Sequence, residues 1–122
     1  MSDLKTLLII DDEEDIGEIL ATLLEDDFQC ECASTGALGL KMATEKSYDV
    51  IITDLEMPEV AGIDIITQVR ESGLKVPIFV STGHDQTHPK VKEALEAGAQ
   101  AALLKPFMDP NTIVAEIKPY LD

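Results

Sequence analysis

Leu7-Leu8-Ile9-Ile10-Asp11-Asp12 is an unbroken apolar run that stops on two acids. A strand with one solvated face alternates apolar and polar residues, so a continuous run reads as a strand covered on both faces. The period then changes. Ile16, Ile19, Leu20, Leu23 and Leu24 recur at helical spacing and mark an amphipathic stripe. A doubly covered strand leading directly into a helix is a βα unit, and the rest of the chain repeats it.

Phe28 to Ala33 forms a short strand with some alternation, and Ser34 or Thr35 caps a helix reaching about Lys46, with Leu40 and Ala43 inward. Val50-Ile51-Ile52-Thr53 is a third strand ending at Asp54. The Met57-Pro58 loop leads to Gly62 and a helix with Ile65, Ile66 and Val69 inward, stopped at Gly73. Val76 to Ser81 is a fourth strand. Pro89 opens a helix carrying Val91, Ala94 and Leu95, which stops at Gly98. Ala101 to Leu104 is a fifth strand. Asp109-Pro110 caps a last helix with Ile113, Val114, Ile117 and Leu121, and Pro119 makes it fray or end early. Strand and helix alternating in this way predict an α/β fold, a parallel sheet with helices on both faces. The length of 122 residues suits one domain, residues 1–122.

The formal net charge of −15 argues against nucleic acid as a partner. No apolar run approaches the ~20 residues of a membrane span, and Met1 to Thr6 leads into too short an apolar stretch for a signal peptide. A cytoplasmic location is therefore expected. Cys30 and Cys32 sit at i and i+2 of one strand, facing the same side, and read as reduced, partly buried residues.

In open α/β sheets, sites form beyond the carboxyl ends of the strands. There the sequence puts Asp11-Asp12, Asp54, Ser81-Thr82-Gly83 and Lys105-Pro106-Phe107. Singly, each has an ordinary reading: helix cap and first-turn acid, turn residue, loop cap, solvated cation. Together they bring three carboxylates, a hydroxyl and an ammonium to one rim. Clustered carboxylates repel one another unless a cation relieves them. A hard divalent ion such as Mg²⁺ takes carboxylate, water and phosphate oxygens. Lysine and threonine are suited to hold phosphoryl oxygens, and a carboxylate can be the nucleophile that accepts a phosphoryl group.

Asp11-Asp12, Asp54-Leu55-Glu56-Met57-Pro58 with Gly62 after it, Thr82-Gly83 and Lys105-Pro106-Phe107 resemble the response-regulator receiver family along essentially the whole chain. The resemblance implies a flavodoxin-like (βα)5 doubly wound sheet, strand order 2-1-3-4-5, in a two-component phosphorelay. It implies Asp54 as phosphoacceptor and Mg²⁺ as cofactor, ligated by Asp12, Asp54 and the backbone carbonyl of Glu56, with Asp11 acting through metal-bound water. Thr82 donates its hydroxyl to the phosphoryl group and Lys105 pairs with it. The implied donor is a sensor histidine kinase or a histidine phosphotransfer protein, and the output is contact with a downstream protein target. The chain is then a monomeric signalling protein that assists its own phosphotransfer and dephosphorylation, not a classical enzyme. A free-standing relay and a receiver excised from a longer protein both fit.

Three alternatives belong to other classes. A pseudo-receiver would bind partners without phosphotransfer. An aspartate-nucleophile phosphatase wants Asp-x-Asp after the first strand, where Asp11-Asp12-Glu13 stands. A flavodoxin wants a hydroxyl- and Gly-rich loop in that place, where acids stand. The chain also departs from the family pattern. Ala102 occupies the usual aromatic switch position, Gly83 stands where Ala is commoner, and Ala61 where Asp often precedes the glycine. Without the aromatic, change on phosphorylation is expected to concentrate in residues 55–61 and 83–89, with the fourth helix and fifth strand responding less than is usual. Glu56 and His84 border the phosphoryl site. His84 and His88 are either polar loop residues or part of a second metal site. The first helix is either wholly core or leaves Ile16 or Ile19 as an anchor for a helical phosphotransfer partner.

Overall fold

Val50 to Asp54 is buried along its entire length, as a strand must be when neighbours cover both its edges and both its faces. The computed structural model describes residues 4–107 and 109–121. Among these, the order is β1 (Lys5–Ile10), α1 (Glu14–Leu24), β2 (Phe28–Ala33), α2 (Gly36–Glu45), β3 (Val50–Asp54), α3 (Gly62–Glu71), β4 (Ile78–Thr82), α4 (Pro89–Ala97), β5 (Ala101–Leu104) and α5 (Pro110–Ile117). A 3-10 turn, Lys118–Tyr120, follows α5 and contains Pro119. All strand pairs are parallel and the sheet order is β2-β1-β3-β4-β5, as the resemblance implies.

Because side chains alternate across a strand, each strand feeds two cores. Leu8, Ile10, Ile51, Ile78 and Val80 pack with Ala43 of α2, Ile65, Ile66 and Val69 of α3, and Val91 and Ala94 of α4. Leu7, Ile9, Ile52 and Phe79 pack on the other face with Leu20 and Leu24 of α1 and Ile113, Val114 and Ile117 of α5. Fully burying each such aliphatic side chain contributes roughly 1.5–3 kcal/mol before entropy is set against it.

Side chains cap α2, α4 and α5, at Thr35 and Asp109 as the sequence implies. Thr35 Oγ1 accepts from the Leu38 amide at 3.0 Å, His88 Nδ1 from the Lys90 amide at 3.1 Å and Asp109 Oδ1 from the Asn111 amide at 2.9 Å. At α3 the cap residue is Ala61, and Asp64 one turn in accepts from the Ala61 amide at 3.1 Å instead. Gly98 ends α4 at φ +125°, a conformation only glycine adopts without strain.

Several boundaries differ from expectation. β1 starts two residues early, because Lys5 and Thr6 still pair with Phe28 and Gln29. β4 starts at Ile78 rather than Val76. Pro77 has no N–H to donate, and the Val76 carbonyl accepts from the Arg70 guanidinium at 2.8 Å. That guanidinium also donates to the Gly98 carbonyl at 2.8 Å and to Gln100 Oε1 at 3.2 Å, tying α3 to the starts of β4 and β5. Of the apolar residues carried by α4, Leu95 is 38% exposed, since the buried stripe is complete with Val91 and Ala94. Cys30 and Cys32 are free thiols, but only Cys30 is half-buried; Cys32, on an edge strand, is exposed. Burial, followed by the neighbouring Cys32 and Glu25 charges, pushes the Cys30 thiol up to about 11, so it stays protonated.

Candidate functional site

Backbone bonds between neighbouring strands set the rim. The Asp11 amide donates to the Ala33 carbonyl at 3.1 Å, the Leu55 amide to the Ser81 carbonyl at 3.0 Å and the Lys105 amide to the Thr82 carbonyl at 2.8 Å. Each bond continues the sheet one step past a strand end, so the residue that emerges is held as firmly as a strand residue. Asp54 pairs with Ser81 across β3 and β4, which puts Thr82 one residue further along the same rim. Gly62 permits the loop after β3 to fold back: its amide donates to the Leu55 carbonyl at 3.1 Å, and a Cβ there would strike the Asp54 carbonyl oxygen.

Asp11, Asp12 and Asp54 each offer a carboxylate oxygen within 4.8 Å of the others. Among the described residues no other group of three or more His, Cys, Asp or Glu is arranged to hold a metal ion. Asp11 and Asp54 are buried, at 3% and 8% exposure, while Asp12 is exposed. Asp11 is not the cap of α1. Glu13 holds that position without a side-chain bond, and Asp11 Oδ1 accepts from the Glu13 amide at 2.9 Å. Lys105 Nζ lies 3.4 Å from both Asp11 Oδ2 and Asp54 Oδ1.

Burial pushes the Asp54 carboxyl up to about 6; Lys105 pulls it down and Asp11 pushes it up again. Burial disfavours the Lys105 ammonium, but the Asp54 and Asp11 charges outweigh it and hold its pKa above the usual value. A buried carboxyl this reluctant to ionise, with two more acids beside it, is a place where a divalent cation lowers the free energy of the charged state. The donor set is all oxygen, which suits a hard ion.

Thr82 is 3% exposed and its Oγ1 accepts from the His84 amide at 3.0 Å, which leaves the hydroxyl proton for another acceptor. The Glu56 amide points at Asp54 Oδ1 at 3.5 Å, long for a hydrogen bond. The Glu56 side chain engages groups beyond the strand ends: Oε1 lies 2.6 Å from His84 Nε2, and Oε2 accepts from Lys90 Nζ at 2.8 Å. The Lys90 bond first, then the His84 bond, hold the Glu56 carboxyl below the usual range. His84 and His88 stack with ring centroids 3.8 Å apart. Their nitrogens toward Glu56 and the α4 cap are engaged, which gives no support to a second metal site.

Sequence reasoning thus named the residues that meet at the rim and missed Lys90. A lysine one residue after a helix-opening proline carries no signal until the two loops are seen to converge. Ala102 pairs with Val80 in β5 and packs at the margin of the first core. On α1, Leu20 and Leu24 are core, Ile16 and Leu23 are half-buried and Ile19 is 49% exposed, so the stripe leaves apolar surface uncovered beside the rim.

A family model described as response regulator receiver domain matches residues 7–118. The chain is 37% identical to the transcriptional regulatory protein PcoR of Escherichia coli, covering 97% of this chain and 52% of that protein. It is 36% identical to the alkaline phosphatase synthesis transcriptional regulatory protein PhoP of Bacillus subtilis, covering 96% and 48%. The chain therefore spans about half the length of these curated relatives. Among solved structures, it superposes on a response regulator receiver domain protein of Clostridium thermocellum with a TM-score of 0.86 at 32% identity, covering 96% and 94% of the two chains. The chemotaxis protein CheY4 of Vibrio cholerae gives 0.86 at 31% identity, covering 97% and 99%.

Proposed function

The chain belongs to the response regulator receiver family, and on that premise we propose that it signals by accepting a phosphoryl group on Asp54. The observation that carries this reading is the buried Asp54 carboxylate, with Asp11 and Asp12 in metal-ligand proximity and Lys105 Nζ at 3.4 Å. No capping or packing role accounts for three acids and an ammonium gathered at three strand ends.

The donor in this reading is a phosphohistidine on a sensor histidine kinase or a histidine phosphotransfer protein. An Asp54 carboxylate oxygen forms the new O–P bond as the N–P bond breaks, and the imidazole keeps the electron pair. Lys105 stands beside Asp54 to pair with a phosphoryl oxygen, and the Thr82 hydroxyl donates to another. The residues that would hold Mg²⁺ are Asp12, Asp54 and the Glu56 backbone carbonyl, with Asp11 acting through water. When bound, the ion neutralises charge on the carboxylates and the phosphoryl oxygens. What the protein contributes is positioning and electrostatics, so it assists its own phosphorylation and dephosphorylation without turning over a separate substrate.

The working unit in this reading is one receiver domain over residues 1–122, monomeric and cytoplasmic. Its output is contact with a downstream protein, and its net charge of −15 disfavours nucleic acid. The exposed Ile19 and half-buried Ile16 of α1 supply an apolar anchor for a helical donor. Intact-mass spectrometry after incubation with acetyl phosphate and Mg²⁺ tests the assignment. One acid-labile phosphoryl group is expected on the wild-type chain and none on Asp54→Asn. Equal phosphate on both would end the assignment to Asp54, and none on either would favour a phosphorylation-independent interaction module.

A further inference from the structure

The two side chains most intimately concerned with a phosphoryl group on Asp54 each carry a backbone amide of the next loop. The Glu56 amide is directed at Asp54 Oδ1 at 3.5 Å, and the His84 amide donates to Thr82 Oγ1 at 3.0 Å. The side chains of these same two loop residues meet: Glu56 Oε1 is 2.6 Å from His84 Nε2. From that meeting point two contacts lead to one place. Glu56 Oε2 accepts from Lys90 Nζ at 2.8 Å, in the first turn of α4. The His84 ring stacks on His88 at 3.8 Å, and His88 caps α4 through its Nδ1 bond to the Lys90 amide.

We propose that Glu56 and His84 form a tie, closed by Lys90 and His88, that transmits occupancy of Asp54 to the N-terminal turn of α4. The inference rests on the reading of Asp54 as phosphoacceptor. A phosphoryl group shifts a conformation only through interactions that differ between the two states. Here the differing interactions are at the Asp54 and Thr82 side-chain oxygens: phosphorylation esterifies an Asp54 carboxylate oxygen, and the new phosphoryl group draws the Thr82 hydroxyl toward it by accepting its proton. Each then pulls on an amide whose side chain belongs to the tie. Within β5 itself Ala102 has no rotamer to change, and the strand's contact with the site runs through Lys105 beyond its end. Change is thereby extended from the loops 55–61 and 83–89, the second of which already includes His88 and Pro89, by two residues into the first turn of α4, to Lys90 and Val91, and goes no further along α4.

The experiment compares backbone amide chemical shifts with and without beryllofluoride and Mg²⁺, in wild type, in Lys90→Gln and in Lys90→Gln/His88→Ser. Serine keeps a good cap while removing the stacked ring. In wild type, shifts are expected in residues 55–61 and continuously over 83–91, with 101–104 quiet. In the double variant the loop response at 55–61 persists, and the response at 88–91 falls by about half or more, the loss expected when one state's differential contacts are removed. Should the double variant fail to fold, Lys90→Gln alone carries the test with a smaller loss. An undiminished response at 88–91 in a folded variant overturns the tie, as does a wild-type response centred on 101–104. A wild type that gives no response anywhere refutes the phosphoacceptor reading instead, and the tie with it.

Discussion

Replacing Asp54 with asparagine is expected to stabilise the protein in the absence of divalent cations at neutral pH. Asp54 is 8% exposed and burial raises its pKa from the ordinary 3.8 to about 6. The folded state thus binds a proton more tightly than the unfolded state does. Between those two values the folded chain carries the proton and the unfolded chain has lost it, so stability falls as pH rises through this window. Above about pH 6 the loss is complete and amounts to at most about 3 kcal/mol, the free-energy equivalent of the shift. Asparagine resembles the protonated acid in shape and charge, so Asp54→Asn avoids the loss. Lys105 keeps Asp11 as a partner at 3.4 Å, so the substitution leaves no orphaned cation. The assay is urea unfolding of both proteins in EDTA at pH 7 and at pH 4. The variant should exceed wild type at pH 7, by up to about 3 kcal/mol, and the gap should close toward pH 4. A variant no more stable than wild type at pH 7, or a gap independent of pH, would refute the claim that ionised Asp54 is held at a cost.

Millimolar Mg²⁺ should narrow that gap by stabilising the wild type. At ten times its dissociation constant the ion adds about 1.4 kcal/mol to wild-type stability. The gain should be larger at pH 7 than at pH 5, where Asp54 is mostly protonated, and absent in Asp12→Ala; thermal melts indifferent to Mg²⁺ would count against the site. Lys105→Ala removes the principal influence holding the Asp54 pKa down, so the pH profile of acetyl phosphate acceptance should move upward while the fold persists; an unmoved profile would contradict the pairing. Ile19→Ala should change stability by less than about 0.5 kcal/mol, as for most exposed positions, yet slow transfer from a phosphohistidine donor while leaving acetyl phosphate acceptance intact. Equal rates from the protein donor would remove Ile19 from the docking surface.

β1, β3 and β4 were legible because each carries an apolar run of the kind a parallel sheet buries on both faces, while the edge strand β2 was legible by its partial alternation and β5 as the short run Ala101 to Leu104. Two helix caps were legible for a similarly local reason, since Thr35 and Asp109 act on amides two or three residues away; at α4 only Pro89 signalled the start, and the His88 cap was not read. Errors arose where the deciding partner is distant in sequence. The start of β4 depends on Arg70, which takes the Val76 carbonyl from the sheet. The exposure of Leu95 depends on how many helices cover each face, which no periodicity reveals, and the same coverage decided between the two readings of Ile19 in favour of an uncovered edge. The carboxylates and Lys105 could be assembled in advance, since strand ends of a parallel sheet converge by construction. The Glu56–Lys90 pair spans 34 residues and two loops of irregular backbone, and nothing in the spacing announces it.

The sheet is also a partition. Leu8 and Ile10 look toward α2, α3 and α4, while Leu7 and Ile9, their immediate neighbours in the chain, look toward α1 and α5. Substitutions without shared partners combine additively, whereas those in contact do not. The chain therefore carries two fitness landscapes on one thread. A lineage can redraw the α1 and α5 side, where a donor would dock, and inherit the α2–α4 side unaltered. Within either chamber, by contrast, each large residue constrains the next, and drift there must proceed by compensated pairs.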